Sequence, residues 1–103
     1  MFVRVSHMNA KDGQEDRLVE LLNQLSTFYR EQGGYLGGYI LSPYPSAPTD
    51  ARRFGRVGAW ETQDAAEDAA QHSRALALRS ELTRIVEEDS HHEFSFSARS
   101  DTP

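Results

Sequence analysis

The fold is decided between Phe54 and His72, in the stretch FGRVGAWETQDAAEDAAQH. Phe54, Arg56, Gly58 and Trp60 alternate with Gly55, Val57 and Ala59, the two-residue period of an extended strand. The alternation stops at Glu61. Thr62 stands where its side-chain oxygen can cap a helix, Asp64 suits the positive end of the helix dipole, and an alanine-rich run follows. The chain is thus predicted to pass from strand directly into helix, with Trp60 at the corner.

Toward the N-terminus, Phe2 to Met8 also alternate, Phe2, Arg4, Ser6 and Met8 on one side and Val3, Val5 and His7 on the other, which predicts a first strand. Asp12, followed three residues later by Glu15, has the form of a capping box, and Gly13 eases the way into a helix that begins there. Leu18, Leu21, Leu22, Leu25, Phe28 and Tyr29 recur at helical spacing as one apolar stripe, opposite Asp16, Glu20, Asn23, Thr27, Arg30 and Glu31. Gly33 and Gly34 end this helix, where a positive φ is wanted. A second strand is predicted from Tyr35 to Ser42, with Leu36, Gly38 and Ile40 against Tyr35, Gly37, Tyr39 and Leu41, its glycines allowing a bulge or a close backbone approach. Pro43, Pro45 and Pro48 then punctuate a polar loop up to Arg52, expected to be mobile.

Beyond Thr62 the apolar pattern changes phase. Ala66, Ala69, Ala70 and Ser73 define one stripe, whereas Ala75, Leu78, Leu82, Ile85 and Val86 define another, roughly half a turn away at ~100° per residue. One straight helix cannot bury both, so a break is expected near His72 to Arg74. A last strand, His92 to Ala98, sets Phe94, Phe96 and Ala98 against Glu93, Ser95 and Ser97. The domain is read as residues 1–98, with 99–103 a loose tail.

Strand, helix, strand, strand, helix, strand is the split βαβ order of an α+β ferredoxin-like fold with an antiparallel sheet. Helices cover one face of such a sheet. The other also carries apolar groups whichever way the strands turn, because Val3, Val5 and Val57 oppose Phe2, Met8, Phe54 and Trp60. A second copy of the chain is the simplest cover, which predicts a homodimer with its sheets face to face.

Composition narrows the function classes. At 103 residues the chain makes one domain with a thin core. The absence of cysteine removes disulfides and thiolate metal sites, and the opening MFVRVSHMN lacks a signal peptide's apolar stretch. No run approaches the ~18 apolar residues of a membrane span, so the expectation is a cytoplasmic protein with no membrane partner. A net charge of -5 without a Lys/Arg cluster argues against nucleic acid.

GAWETQDAAEDAAQH at Gly58 to His72, supported by GGYLGGYIL at Gly33 to Leu41 and ALALRSEL at Ala75 to Leu82, resembles the antibiotic biosynthesis monooxygenase-like (ABM) family of dimeric α/β barrels. The resemblance extends from the first strand to Ala98. It implies the fold more firmly than the activity, since the family holds quinone-forming monooxygenases that use oxygen without metal or flavin, haem-degrading enzymes and members with no assigned role. In the quinone-forming enzymes an Asn and a Trp on the third strand, and a Tyr and an Arg on the following helices, form the site. Trp60 matches the Trp and Arg79 matches the Arg, but Arg56 stands in place of the Asn and Ala66 in place of the Tyr. In the haem-degrading branch the Asn corresponds to Ser6, the helical Trp to Ala69 and the haem-ligating His to about Arg79, so that activity is not implied.

The candidate catalytic residues are therefore His72, Trp60 and Arg79, and the candidate substrate-binding residues Arg56, Arg4 and Ser6, with no metal and no cofactor. Trp60 either stacks on an aromatic ligand or fills the core at a strand end. Arg56 and Arg4 either share the cleft and take an anionic ligand, or each pairs with an acid or reaches water. His72, at the helix break, either turns its ring into the cleft as a general base or is solvated there. His91 and His92, being adjacent, point in different directions, and no third ligand gives them zinc spacing. His7 is expected to make a structural hydrogen bond, and Tyr35, Tyr39 and Tyr44 to be packing or loop residues. The function so predicted is a cofactor-independent monooxygenase acting on a small aromatic or quinol-like compound. The alternative is a non-catalytic ligand-binding or regulatory module on the same barrel.

Overall fold

The computed structural model describes residues 1–48 and 52–102. Its elements are β1 (Phe2–Met8), α1 (Glu15–Arg30), β2 (Tyr35–Leu41), β3 (Phe54–Trp60), α2 (Gln63–Gln71), α3 (Ser73–Ile85) and β4 (His92–Ser97). The strands form one antiparallel sheet in the order β2-β3-β1-β4, the ferredoxin-like α+β arrangement that the element order predicts. Of the expected loop from Pro43 to Arg52, positions 49–51 lie outside the described residues, as does position 103 of the tail. No helix among the described residues is long and apolar enough to cross a membrane.

The core lies between the helices and one face of the sheet. Leu18, Leu21, Leu22 and Leu25 on α1, Ala66 and Ala69 on α2, and Ala75, Leu78 and Leu82 on α3 pack there with Met8 and Trp60. The start of α1 differs from the expected capping box. Gly13, at φ 82, turns the chain after Asp12, so the helix begins at Glu15 with Gln14 as its N-cap and no side-chain cap bond. Glu15 and Asp16 instead place their charges in the first turn, where the helix dipole favours them. For α2 the Thr62 hydroxyl accepts the Ala65 N–H at 3.1 Å.

The phase change is resolved at His72, whose extended backbone (φ -62, ψ 141) separates α2 from α3. Its Nδ1 accepts the Arg74 N–H at 3.3 Å, so the residue that ends one helix caps the next. Ala66, Ala69 and Ala70 are buried on one side of the break and Ala75, Leu78 and Leu82 on the other, whereas Ser73, at the junction, is exposed.

In β2 the register shifts between Tyr35 and Gly37, a bulge that interrupts the strict alternation read from the sequence. Tyr35 lies opposite Trp60 and its ring meets Tyr29 and Trp60, so it belongs to the helix side of the sheet rather than with Tyr39. Gly38 is needed for a close approach: a Cβ there would lie 2.1 Å from the Val57 carbonyl oxygen.

Pairing in register sets side chains in rows across the sheet. Arg56, Ser6 and Glu93 form one row and Gly58, Arg4 and Ser95 the next, both on the helix side. The other face carries Val57, Val5 and Phe94, then Ala59, Val3 and Phe96. Phe94 is 50% and Phe96 54% exposed, and Tyr39, opposite Val57, is exposed as well. His7 also lies on this face, against His92 at 5.3 Å and Phe94 at 5.8 Å between ring centroids. Its Nδ1 is buried and has no partner among the described residues, so the expected structural hydrogen bond is not made there, and burial lowers its pKa.

Candidate functional site

Between sheet and helices lies a cavity of about 60 Å³. The alternation of β3 carries Arg56, Gly58 and Trp60 into it. Arg56 is 8% exposed, and its guanidinium is held by neutral groups. Nε donates to Ser26 Oγ on α1 at 2.7 Å, Nη2 donates to the Tyr35 hydroxyl at 2.7 Å, and Cζ stands 4.8 Å from the centre of the Tyr29 ring. Among the described residues no carboxylate forms an ion pair with it. Burial lowers its pKa from the usual arginine value, an effect the two tyrosines oppose, and burial raises that of Tyr29. A guanidinium remains charged in a protein, so this site holds a desolvated cation without a counter-ion among the described residues.

Gly58 supplies the space beside that cation. A Cβ on it would lie 3.1 Å from Arg56 Nη1 and 3.4 Å from Trp60 Nε1, so two N–H donors converge over a bare α-carbon. Neither nitrogen donates to another protein group among the described residues. Such convergence suits an oxyanion, which gains most from donors already oriented in a dry site. Trp60 fits the core reading, being 3% exposed within the core cluster and edge-on to Tyr29 and Tyr35, and its indole also borders the cavity.

A second polar group closes the more exposed side. Arg79 on α3 donates from Nη2 to Glu93 Oε1 at 3.0 Å, and His91 Nε2 lies 3.5 Å from the same oxygen. The His91 contact, with Arg79 adding to it and burial opposing, holds the Glu93 carboxyl below the usual glutamate range. Arg4 lies beside them, with its Nε donating to Ser95 Oγ at 3.4 Å and its guanidinium 5.1 Å from the Phe2 ring. The cavity is small beside ligand pockets of about 300–1,000 Å³. A ring-sized ligand therefore needs the rim to open, and the Arg79 side chain, about a third exposed, is placed to swing away from Glu93.

Trp60, Arg79, Arg56, Arg4 and Ser6 all border this cavity. His72 does not. The expectation that its ring turns into the cleft is corrected: the residue is exposed, its ring lies 4.9 Å from that of Phe28, and its Nδ1 is engaged as the α3 cap. Ser26, Tyr29, Tyr35, His91 and Glu93 are the site residues that the sequence reading missed. Tyr35 is brought in by the bulge, and Ser26 by its place one residue after Leu25 on the buried stripe of α1. Glu93 could have been found by carrying the strand alternation across the sheet from Arg56 and Ser6.

Neither a protein-family model nor a curated protein matches the sequence. Solved structures match it in fold along almost the whole chain. SnoaB, a cofactor-independent oxygenase from Streptomyces nogalater, is 16% identical with a TM-score of 0.80, covering 99% of this chain and 96% of its own. A candidate antibiotic biosynthesis monooxygenase from Nitrosomonas europaea gives 16% identity and a TM-score of 0.80 over 95% and 98% of the two chains. Another from Deinococcus radiodurans gives 16% and 0.81 over 100% and 97%. The chain thus has the fold of the antibiotic biosynthesis monooxygenases.

Proposed function

We propose that the protein is a cytoplasmic, homodimeric, cofactor-independent monooxygenase that oxidises a small phenol or quinol-like aromatic in the cavity under its helices. The observation that carries this reading is the convergence of Arg56 Nη1 and Trp60 Nε1 over Gly58. A phenol with a hydrogen on the ring carbon para to its oxygen reacts with O2 to give a quinone and water, one oxygen atom entering the product and the other leaving in the water. The reaction becomes accessible once the phenol has lost its proton, because the anion is the electron donor to oxygen. Arg56 and Trp60 would hold that oxyanion, and Arg79, released from Glu93, would add a second cation as charge builds on the oxygen adduct. The fold shared with a cofactor-independent oxygenase supports the reaction class. The uncovered face bearing Val5, Phe94 and Phe96 supports the dimer.

The second reading, a ligand-binding module without turnover, is favoured by the small cavity and by the pairing of Arg79 with Glu93. Oxygen consumption with a panel of hydroxynaphthalenes and anthrones separates the two. Turnover supports the enzyme, whereas binding with no oxygen uptake across the panel supports the module.

A further inference from the structure

With His72 outside the cavity, the ligand's proton needs another acceptor. We propose that His91, oriented by Glu93, is the base that takes the proton from the acidic O–H of a bound phenol, a role that rests on the reading of the cavity as a phenol site.

The backbone fixes where His91 emerges. Asp89 has left-handed backbone geometry at φ 63, and the buried Ser90 hydroxyl donates to the Glu87 carbonyl at 2.7 Å while accepting the Asn9 N–H at 3.2 Å. This fastened turn delivers His91 to the cavity lining immediately before β4 and sends His92 to the opposite face against His7. The imidazole is half-buried, accessible to a ligand without being freely solvated.

Its orientation is set from one side. Nε2 lies 3.5 Å from Glu93 Oε1, and Glu93 is held in turn by Arg79. An Nε2–H directed at the carboxylate leaves Nδ1 with the lone pair, and such contacts shorten when the ring becomes charged. Glu93 itself is the poorer base, because His91 and Arg79 keep its pKa low. Tyr29 is a neutral phenol whose pKa burial raises, so it offers no acceptor of comparable strength.

The step balances without any redox partner. The ligand O–H bond breaks, an N–H bond forms on His91, and the electron pair stays on the oxygen. The imidazolium then faces Glu93, and the phenolate faces Arg56. The charged and titratable groups around His91 are Glu93 on the strand it leads into, Arg79 on α3, Arg4 on β1 and, across the sheet, His7 and the adjoining His92.

The test uses 4-nitrophenol, whose anion is coloured, with the full chain. Absorbance against pH gives the ionisation midpoint of the bound probe, and nitrogen-15 spectra of the histidine side chains report the His91 protonation state. In the parent protein the bound probe should ionise at least one pH unit below the free compound while His91 gains a proton on binding. His91→Gln should still bind but return the midpoint toward the free value by about one unit. Glu93→Gln should move it part of the way, and His72→Gln should leave it in place. An ionised probe with an unchanged His91 signal, or an unmoved midpoint in His91→Gln, overturns the base assignment while the phenol site stands. No binding by the parent protein retires the site itself, and the assignment with it.

Discussion

Ser26 Oγ on α1 accepts the Arg56 Nε–H at 2.7 Å, so the helix layer is joined to the sheet through a hydroxyl where a carboxylate would have cancelled the charge. A Ser and two tyrosines orient the cation without neutralising it. Hydrogen bonds from neutral partners return only part of the solvation that a guanidinium loses on burial. The remainder is available to an anion that enters the cavity.

Arg56→Met keeps the aliphatic stem and removes the charge. The variant should melt at or above the parent temperature, since the uncompensated charge is gone, while affinity for phenolate or carboxylate ligands falls at least about tenfold, the scale of one charge-assisted bond. Neutral analogues should lose far less. Thermal melts with calorimetry on matched neutral and anionic ligands decide it, and a variant that melts several degrees lower shows that the hydrogen bonds of Arg56 outweigh its desolvation.

Gly58→Ala puts a methyl group where the donors converge. The nearest atoms, at 3.1 Å and 3.4 Å, are the ends of the Arg56 and Trp60 side chains, which can shift by a few tenths of an ångström. The fold should persist, and ligand affinity should drop by about an order of magnitude through the lost oxyanion space. Gly38→Ala should instead damage the β2–β3 pairing, because its Cβ would meet the Val57 backbone at 2.1 Å. Melting curves and ligand titrations of the two variants together test the contrast.

Acid should weaken the Arg79–Glu93–His91 cluster in a defined window. The folded pKa of Glu93 lies below its unfolded value, through His91 and then Arg79, so its contribution is present above the unfolded value of about 4.3. That contribution disappears as pH falls below this value and through the lower folded one. Glu93→Gln should therefore show a shallower loss of stability than the parent between about pH 5 and pH 3. Superimposable denaturation midpoints against pH for the two proteins would contradict the assignment.

Sedimentation should give about twice 11.6 kDa at micromolar concentration and dissociate on dilution. Phe94→Asp together with Phe96→Asp places charge on the uncovered face and should yield a folded monomer. Its cavity-facing residues are untouched, so the intrinsic affinity for a phenol should survive. A parent protein that stays monomeric at high concentration refutes the pairing of sheets.

What the sequence disclosed follows from where its periods are unbroken. In β1, β3 and β4 the two-residue alternation runs through each strand, so the partition of Arg4, Ser6, Arg56 and Trp60 from Val3, Val5 and Val57 was legible, as was the break at His72 from two stripes out of phase. Which sheet face lies under the helices was not, because both faces carry apolar groups and one chain cannot reveal its cover. The aim of a side chain outside a periodic element was equally hidden. His72 attracted attention by its position in a break, yet a break has no preferred side; His91 was passed over because the left-handed Asp89 that steers it leaves no period to read.

The bulge at the start of β2 makes the composition of the site depend on strand register. Its extra residue brings the Tyr35 hydroxyl to Arg56 while Tyr39, farther along the same strand, looks away from the helices. Deleting Leu36 would leave Tyr35 opposite Trp60 in a regular ladder and still on the helix side, whereas closing the bulge with Leu36 kept would put Leu36 opposite Trp60 and turn Tyr35 to the uncovered face, stripping the cation of an acceptor. Between homologous chains, loss of this bulge at unchanged length would count as a change of active-site residue, although no residue within the site had been substituted.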